Sequence, residues 1–374
     1  MTRRTRARAA RGASHVGERH VVEVGAVAHG GHCVARLADE SGGGRVVFVR
    51  HALPGERVEV EVTEGTDGDT FWRADAVAVL SASPDRVQAP CPVAGPGLCG
   101  GCDFQHVALT RQRALKAEVV AEQLRRLAGL SVDVTVEAVP GDVDGLRWRT
   151  RTRLAHLPDG RTAMRKHRSH DLVPVDDCLI ALPSSSSPSE SVSAAGRSHT
   201  FQVTGDGFWQ VHPGAPRVLV ETVLAMLRPE PGERVLDLYA GVGLFSAFLA
   251  DAVGAGRVVA VEGHPGAARD AASNLPCGVR VLQGDVARVL ASTLDEPFDL
   301  VVLDPPREGA RKAVVDRVVD RSPRAVAYVA CDPAALARDV ATFAAHGYRL
   351  DELRAFDLFP MTHHVECVAL LTRS

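Results

Sequence analysis

Cys331 closes the apolar run AVAYVA and is followed by Asp332-Pro333 and a helical pattern. Glu366 interrupts a second apolar run in HHVECVALL. A lone buried cysteine is usually a small core hydrophobe. A charge within an apolar strand is costly unless it is paired or used. Together, a thiol and a carboxylate supply a nucleophile and a base. That pair suits a carbon that is itself a poor nucleophile, and C5 of a pyrimidine is one. A thiolate adds to C6, C5 becomes enolate-like and takes a new substituent, and a base then removes the C5 proton so that the thiolate leaves. Asp332 reads as an N-cap and Pro333 as a first helical residue, with the helix running to about His346 and Gly347 as its stop. Cys331 at this helix N-terminus is expected to have its pKa lowered from about 8.5, with Asp332 partly opposing.

A second set of residues indicates what C5 would receive. LDLYAGVGLFS places Asp237 at a strand end, ahead of Gly241 and Gly243. A dinucleotide fingerprint needs a third glycine, and position 246 is Ser. An acid before the glycines would repel a pyrophosphate but suits S-adenosylmethionine, whose sulfonium and amino groups are cationic. Glu262 ends VVAVEG, where an acid meets ribose hydroxyls. Asp285 ends LQGD, placed for the adenine, and Asp304 lies in LDPPR, over the reacting centre. One acid at a strand end can be a helix cap. Four in register with a glycine turn indicate a methyltransferase. Enzymes that methylate exocyclic or amide nitrogens usually carry an aromatic after the two prolines. Arg307 stands there instead, which favours the thiolate chemistry over an RNA N-methyltransferase in which Cys331 would be a core thiol.

Four of the eight cysteines form a third set. Cys91, Cys99 and Cys102 are spaced C-x7-C-x2-C, and Cys178 follows beside PVDD. This is a metal signal that zinc and an iron–sulfur cluster satisfy equally, since both take four thiolates. Such a closed site would be structural or RNA-facing. Cys33 and Cys277 read as incidental and Cys367 as core.

The elements that must hold these residues fall into blocks. Residues 1–14 read as a basic disordered arm. Residues 15–82 read as five short strands broken by glycine turns, a small β-barrel. Residues 83–198 form a central α+β domain with the four cysteines, an amphipathic helix from about Leu109 to Leu127 and a Ser-rich flexible loop. In the same block Arg147, Arg149, Arg151 and Arg153 alternate, so a strand would line them along one face as a phosphate-tracking surface. Residues 199–374 alternate strands and helices, indicating a doubly wound parallel α/β sheet with its ligands at the C-terminal strand ends. The net charge of −3 gives no support for a polyanion partner. No run approaches the ~20 apolar residues of a membrane helix, and the N-terminus lacks a secretory h-region. A monomer in the reducing cytoplasm is expected.

The motifs FWQVHPGA, DLYAGVGLFS, VEGHPGAARDAASN, DPPREGA, YVACDPAALARD and HHVECVALL resemble those of the uracil-C5 RNA methyltransferase family. GGHCVARL, VVFVRHALPGERVEVEV and SPDRV resemble a TRAM domain, an OB-like RNA-binding module. The resemblance spans nearly the whole chain. It implies a Rossmann-like methyltransferase domain behind an N-terminal TRAM barrel and a central iron–sulfur domain. It implies Cys331 as nucleophile, Glu366 as proton acceptor, and Gln210, Tyr239, Glu262 and Asp304 as S-adenosylmethionine contacts; Gly241 and Asp285 join them from the glycine turn and the third strand end. It favours a [4Fe–4S] cluster over zinc at the four cysteines and a ribosomal or transfer RNA as substrate. Leu244 departs from the family, several members having Asn there. A non-catalytic RNA-binding protein with the same fold is the remaining alternative.

Overall fold

The computed structural model describes residues 12–37, 44–183, 189–205 and 207–373. Most of the expected basic arm therefore lies outside the described residues. Its end is tied down: Ala13 N–H donates to Asp67 Oδ2 (2.7 Å), and Ser14 bridges to Thr66. The chain divides into two compact units. One holds the residues through Leu115, Arg153–Leu179 and Met361–His363; the other holds Lys116–Thr152, Ile180–Pro360 and His364–Ser374. The 83–198 block is thus shared between the two.

The first unit contains a six-stranded sheet of β1 (Arg19–Glu23), β2 (Val27–Ala28), β3 (His32–Leu37), β4 (Arg45–Arg50), β5 (Arg57–Glu64) and β6 (Phe71–Ser81), in the order β1-β5-β6-β4-β3-β2. Strand alternation drives it: Val58, Val60 and Val62 are buried, with Arg57, Glu59 and Glu61 on the other face. HVVEVGAVA, read as one strand, forms two. Gly25 is the corner, donating to Val34 O (2.7 Å), and a Cβ there would lie 2.9 Å from that oxygen. Beyond the barrel come the cysteine-bearing loop and α1 (Leu109–Gln123), which widens into a π-helical turn at Leu124–Ala128 and stops at Gly129. β7 (Val136–Glu137) belongs to the second unit; β8 (Ala155–His156), β9 (Thr162–Arg165) and β10 (Leu172–Pro174) form a small sheet in the first.

Two expectations for the central block are overturned. Arg147–Arg153 is not a strand. Arg147 has φ +53°, Arg149 Nε donates to Arg151 O (3.2 Å), and Arg151 donates to Gly207 O. Guanidiniums spent on backbone carbonyls do not form a row facing phosphates. The Ser-rich segment is not all loop either. Residues 184–188 lie outside the described residues, but β11 (Ser189–Ala194) and β12 (Arg197–Gln202) make a hairpin across Ala195 and Gly196, both at positive φ as a two-residue turn requires.

The second unit continues with α2 (Ala215–Leu227), β13 (Val235–Leu238), α3 (Leu244–Val253), β14 (Val258–Glu262), α4 (Pro265–Asn274), β15 (Arg280–Gln283), α5 (Val286–Ser292), β16 (Leu300–Leu303), α6 (Arg311–Asp320), β17 (Ala325–Ala330), α7 (Pro333–Ala345), β18 (Tyr348–Phe356) and β19 (Glu366–Arg373). They build one eight-stranded sheet, β15-β14-β13-β16-β17-β19-β18-β7. β13 to β17 are parallel, as expected from the alternation. β19 runs antiparallel between β17 and β18, where a parallel strand was expected. Apolar clusters cover both faces: Val235 joins α2 and α3 on one side, while Leu236 and Leu238 join α5, α6 and α7 on the other.

Candidate active site

All parallel strands of this sheet end at one edge, and because β19 is antiparallel its first residue, Glu366, reaches that same edge. Ala330 pairs with Cys367, so one step further along the register Cys331 faces Glu366 across β17 and β19. Glu366 is 5 % exposed. Burial, and then the neighbouring Asp304, hold its pKa well above the usual carboxylate range, with Arg307 opposing. Cys331 is half-buried. Its pKa is pushed up to about 12, first by burial and then by Glu366 and Asp304, with Arg307 opposing and Asp332 adding to the rise. This is the opposite of the lowering expected from the helix N-terminus, with burial as its largest cause. Asp332 is the cap that the sequence indicates, accepting from Ala335 N–H (2.8 Å). At rest, Cys331 is a thiol.

The other acids fall on neighbouring strand ends. Asp237 in β13 is fully buried and accepts from the Ser246 hydroxyl at 2.6 Å, while its Oδ1 makes no hydrogen bond. Asp304 follows β16 and its amide donates to Leu238 O. Burial pushes both carboxyls up to about 7; Glu262 adds to the rise at each, and Asp237 also acts on Asp304. Glu262 ends β14 and accepts from Gly241 N–H (2.8 Å) and His264 N–H (2.6 Å). Asp285 caps α5, accepting from Arg288 N–H at 3.0 Å. Tyr239, between β13 and the glycines, sits at φ +64°, an uncommon conformation for an aromatic. Gln210 is partly exposed in the loop before α2, and Leu244 is buried at the start of α3. A buried carboxylate oxygen without a donor, beside two more acids, is a setting that a cationic ligand would satisfy.

The glycine turn imposes a stability prediction. Gly243 has φ +96°, and a Cβ there would lie 2.9 Å from the Leu275 side chain. Gly243→Ala is expected to lower stability by about 1–3 kcal/mol through backbone strain and overpacking. Thermal unfolding of the variant checks this; an unchanged midpoint would contradict it.

Sequence reasoning missed what holds the Asp304–Arg307 turn. Ala310 N–H donates to the Tyr328 hydroxyl (2.9 Å) and to Asp339 Oδ2 (2.8 Å), and Tyr328 donates to the same Asp339 oxygen at 2.6 Å. A Cβ on Gly309 would lie 2.6 Å from it. The available signal was Asp339 itself, a charge on the apolar face of α7. Arg307 Nη2 lies 3.2 Å from His364 Nε2, the one of the two adjacent histidines that falls in this unit.

In the first unit, Cys91, Cys99, Cys102 and Cys178 share one region. Burial raises the pKa of Cys99, and pushes Cys102 up to about 12; Cys178 adds to the rise at both, and Cys91 at Cys99. Gly101 N–H donates to Cys99 Sγ and Gln105 Nε2 to Cys102 Sγ, each at 3.4 Å, while Gln105 Oε1 accepts from Cys91 N–H (3.2 Å). Among the described residues, no three His, Cys, Asp or Glu side chains are gathered closely enough to hold a single metal ion.

Residues 285–374 match the tRNA (uracil-5-)-methyltransferase family, residues 13–77 the TRAM domain, and residues 214–328 a methyltransferase small domain. A Streptomyces avermitilis protein described as an uncharacterised RNA methyltransferase is 46% identical over 95% of this chain and 98% of its own. The 23S rRNA (uracil(1939)-C(5))-methyltransferase of Pseudomonas putida is 31% identical over 90% of this chain and 93% of its own. The crystal structure of the Pyrococcus abyssi tRNA (uracil-54, C5)-methyltransferase with S-adenosyl-L-homocysteine superposes with a TM-score of 0.65, at 22% identity, over 94% of this chain and 99% of that one, a likeness of fold. With relatives this similar along nearly their whole length, the chain belongs to the uracil-C5 RNA methyltransferase family.

Proposed function

We propose that the protein methylates C5 of a uridine in RNA, using S-adenosylmethionine, with Cys331 as nucleophile and Glu366 as the base that takes the C5 proton. The observation that carries this is the register that sets Cys331 opposite Glu366 at the strand edge where Asp237, Glu262 and Asp304 gather. Bound S-adenosylmethionine supplies an electrophilic methyl group. Asp237, Tyr239, Gly241, Glu262 and Asp304 would hold it, with Gln210 and Asp285 at the margins. Cys331 Sγ forms a bond to C6 as its proton passes to solvent, and the C5=C6 electron pair moves toward O4. After C5 carries the methyl group, Glu366 accepts the C5 proton, the double bond re-forms and the Cys331–C6 bond breaks. Burial and the nearby acids raise the pKa of both residues, and a cation beside Asp304 weakens one cause of the rise at each. Digestion of reacted RNA followed by nucleoside mass spectrometry tests the reading: 5-methyluridine is expected, and a base methylated on nitrogen would replace it with an N-methyltransferase. The ribosomal RNA modified by the P. putida relative is the class of substrate to try first.

The raised acids give a pH dependence. Below about 7, Asp237 and Asp304 carry protons; above it they are anions. Affinity for S-adenosylmethionine is therefore expected to rise as pH passes through about 7, and to rise less for S-adenosylhomocysteine, which lacks the sulfonium charge. Titration calorimetry across that range checks it, and a flat profile would show that these acids do not face the cation. For the unliganded protein the sign is opposite. A folded pKa above the unfolded one contributes stability below the unfolded carboxylate range, lost as pH rises through about 7.

Cys91, Cys99, Cys102 and Cys178 would hold a [4Fe–4S] cluster. Each thiolate of a cubane binds a different iron, so the four need not crowd one ion as zinc requires. The N–H donors to Cys99 and Cys102 suit such sulfurs. Protein purified without oxygen is expected to be brown, and Cys102→Ser to be colourless; stoichiometric zinc in colourless wild-type protein would refute the cluster. We further place the protein in the cytoplasm, as a monomer, with the TRAM barrel, the cysteine-bearing block and the methyltransferase domain as its three modules.

A further inference from the structure

The basic run contains a second half, RTAMRKHR at 161–168, in which Arg161 is held by Asp159 and Arg165 donates to His170 O (3.2 Å), leaving Lys166 and Arg168. Lys166 and Arg168 line a cleft of about 490 Å³ that lies wholly within the first unit, walled on its other side by Arg50, Arg73 and Phe48 of the barrel. None of the residues assigned above to methyl transfer lines it.

Arg50 is 8 % exposed, and its Nη2 makes no hydrogen bond; the nearest carboxylate oxygen, Asp103 Oδ1, is 3.6 Å away. A buried guanidinium N–H without an acceptor is costly, and an oxyanion is the acceptor it fits best. Arg73 lies over the rings of Phe48 and Phe71, 5.9 and 5.1 Å from their centroids. Three carboxylates also face the cleft. Glu64 is occupied by Arg73 (3.0 Å) and Arg168 (3.7 Å). Asp75 accepts from Gly97 N–H, and burial raises its pKa. Asp171 closes a turn at the rim, its amide donating to Ser169 Oγ and its carbonyl accepting from Lys166 N–H. Arg50 has Asp103 as its counter-charge, at a distance beyond hydrogen-bond reach, whereas Lys166 makes no side-chain ion pair among the described residues of the cleft. Phe48, partly exposed beside it, is a surface on which a base can stack.

We propose that this cleft grips a phosphodiester of the substrate RNA between Arg50, Lys166 and Arg168, with the adjoining base against Phe48, as an anchoring site apart from the uridine that reacts. The proposal rests on the RNA-methyltransferase reading for the identity of its ligand. Equilibrium binding of a substrate RNA fragment to the full-length protein tests it. Lys166→Ala/Arg168→Ala is expected to weaken binding about tenfold and to flatten the slope of log K against log salt by about 0.7, one phosphate contact's worth for a single strand. Its KM for RNA should rise by more than kcat falls. Ser169→Glu, which adds an anion at the rim and removes no packing, should act in the same direction. Arg36→Ala/Arg57→Ala removes the same charge from exposed barrel positions and should change affinity less than about twofold by comparison. The proposal is overturned if the cleft and control variants behave alike, if neither cleft variant moves the affinity, or if uridine monophosphate fills the cleft as tightly as the RNA fragment does. Loss of binding in the cleft variants of a protein that makes no 5-methyluridine would sink the functional reading and leave the anchoring site standing. Normal 5-methyluridine formation with unaltered binding would do the reverse.

Discussion

Cys331→Ala is expected to lower uridine methylation by at least about 10⁴-fold, since it removes the group that makes C5 reactive and leaves only binding and orientation. The residue is half-buried at the end of β17, and alanine removes a single sulfur, so the fold should survive; an unchanged melting temperature would establish that. Serine is expected to do no better than alanine, because its hydroxyl is a weaker nucleophile. The wild-type thiol itself should react slowly with alkylating agents at neutral pH and faster as pH rises toward about 12, since burial and the neighbouring carboxylates hold its proton. Arg307→Ala should slow alkylation further at any pH, because Arg307 is the cation that opposes this rise. If Cys331→Ala methylates at near-normal rate, the cysteine is a core thiol and the covalent route is wrong.

Glu366→Gln should fail at a different step. The amide keeps the shape of the side chain and loses the capacity to accept the C5 proton. Addition of Cys331 and methylation of C5 can still occur once, but elimination cannot follow. Turnover is expected to fall by about 10²–10⁴, the range of a general base, while a covalent protein–RNA species carrying the methyl group accumulates. Denaturing electrophoresis with methyl-labelled cofactor distinguishes this from loss of binding, which would leave no labelled species of high mass. Glu366 is buried against Asp304, and removing its charge also removes one cause of the high Cys331 pKa. The first half-reaction should therefore be no slower than in the wild type. A variant that neither turns over nor traps RNA would place Glu366 outside proton removal.

Much of this arrangement was legible in the chain. Strand ends, glycine turn and caps are local features, so Asp237, Glu262, Asp304 and Cys331 could be placed at strand ends from the alternation of apolar runs and turns. The direction of β19 was not legible. An apolar strand of eight residues has the same composition in either direction, and only the sheet's topology decides which end meets the ligand edge. The same topology buries Cys331 and brings Glu366 near it, and burial first and Glu366 second raise the thiol's pKa, the opposite of what helix-dipole reasoning on one segment gives. β7, two residues long, is too short to carry a periodic signal. Arg147–Arg153 misled because alternation alone does not make a strand: the guanidiniums of Arg149 and Arg151 satisfy carbonyls of the irregular backbone around them. The hairpin in the Ser-rich segment did have a signal. Val192 and Ala194 alternate inward between serines, and Ala-Gly supplies the turn, but serine-rich composition hid it.

The proposed chemistry turns on a bond between Cys331 and C6 of a uridine in RNA. RNA carrying 5-fluorouridine at the target, incubated with S-adenosylmethionine, tests it most directly, because fluorine at C5 cannot leave as a proton does and the adduct stops before elimination. A complex stable to denaturation is expected, with mass spectrometry of the digested product placing a methylated fluorouridine on the peptide that contains Cys331, and no complex from Cys331→Ala. A wild-type protein that methylates ordinary RNA but forms no adduct with the fluorinated substrate, or forms it through another residue, would contradict it.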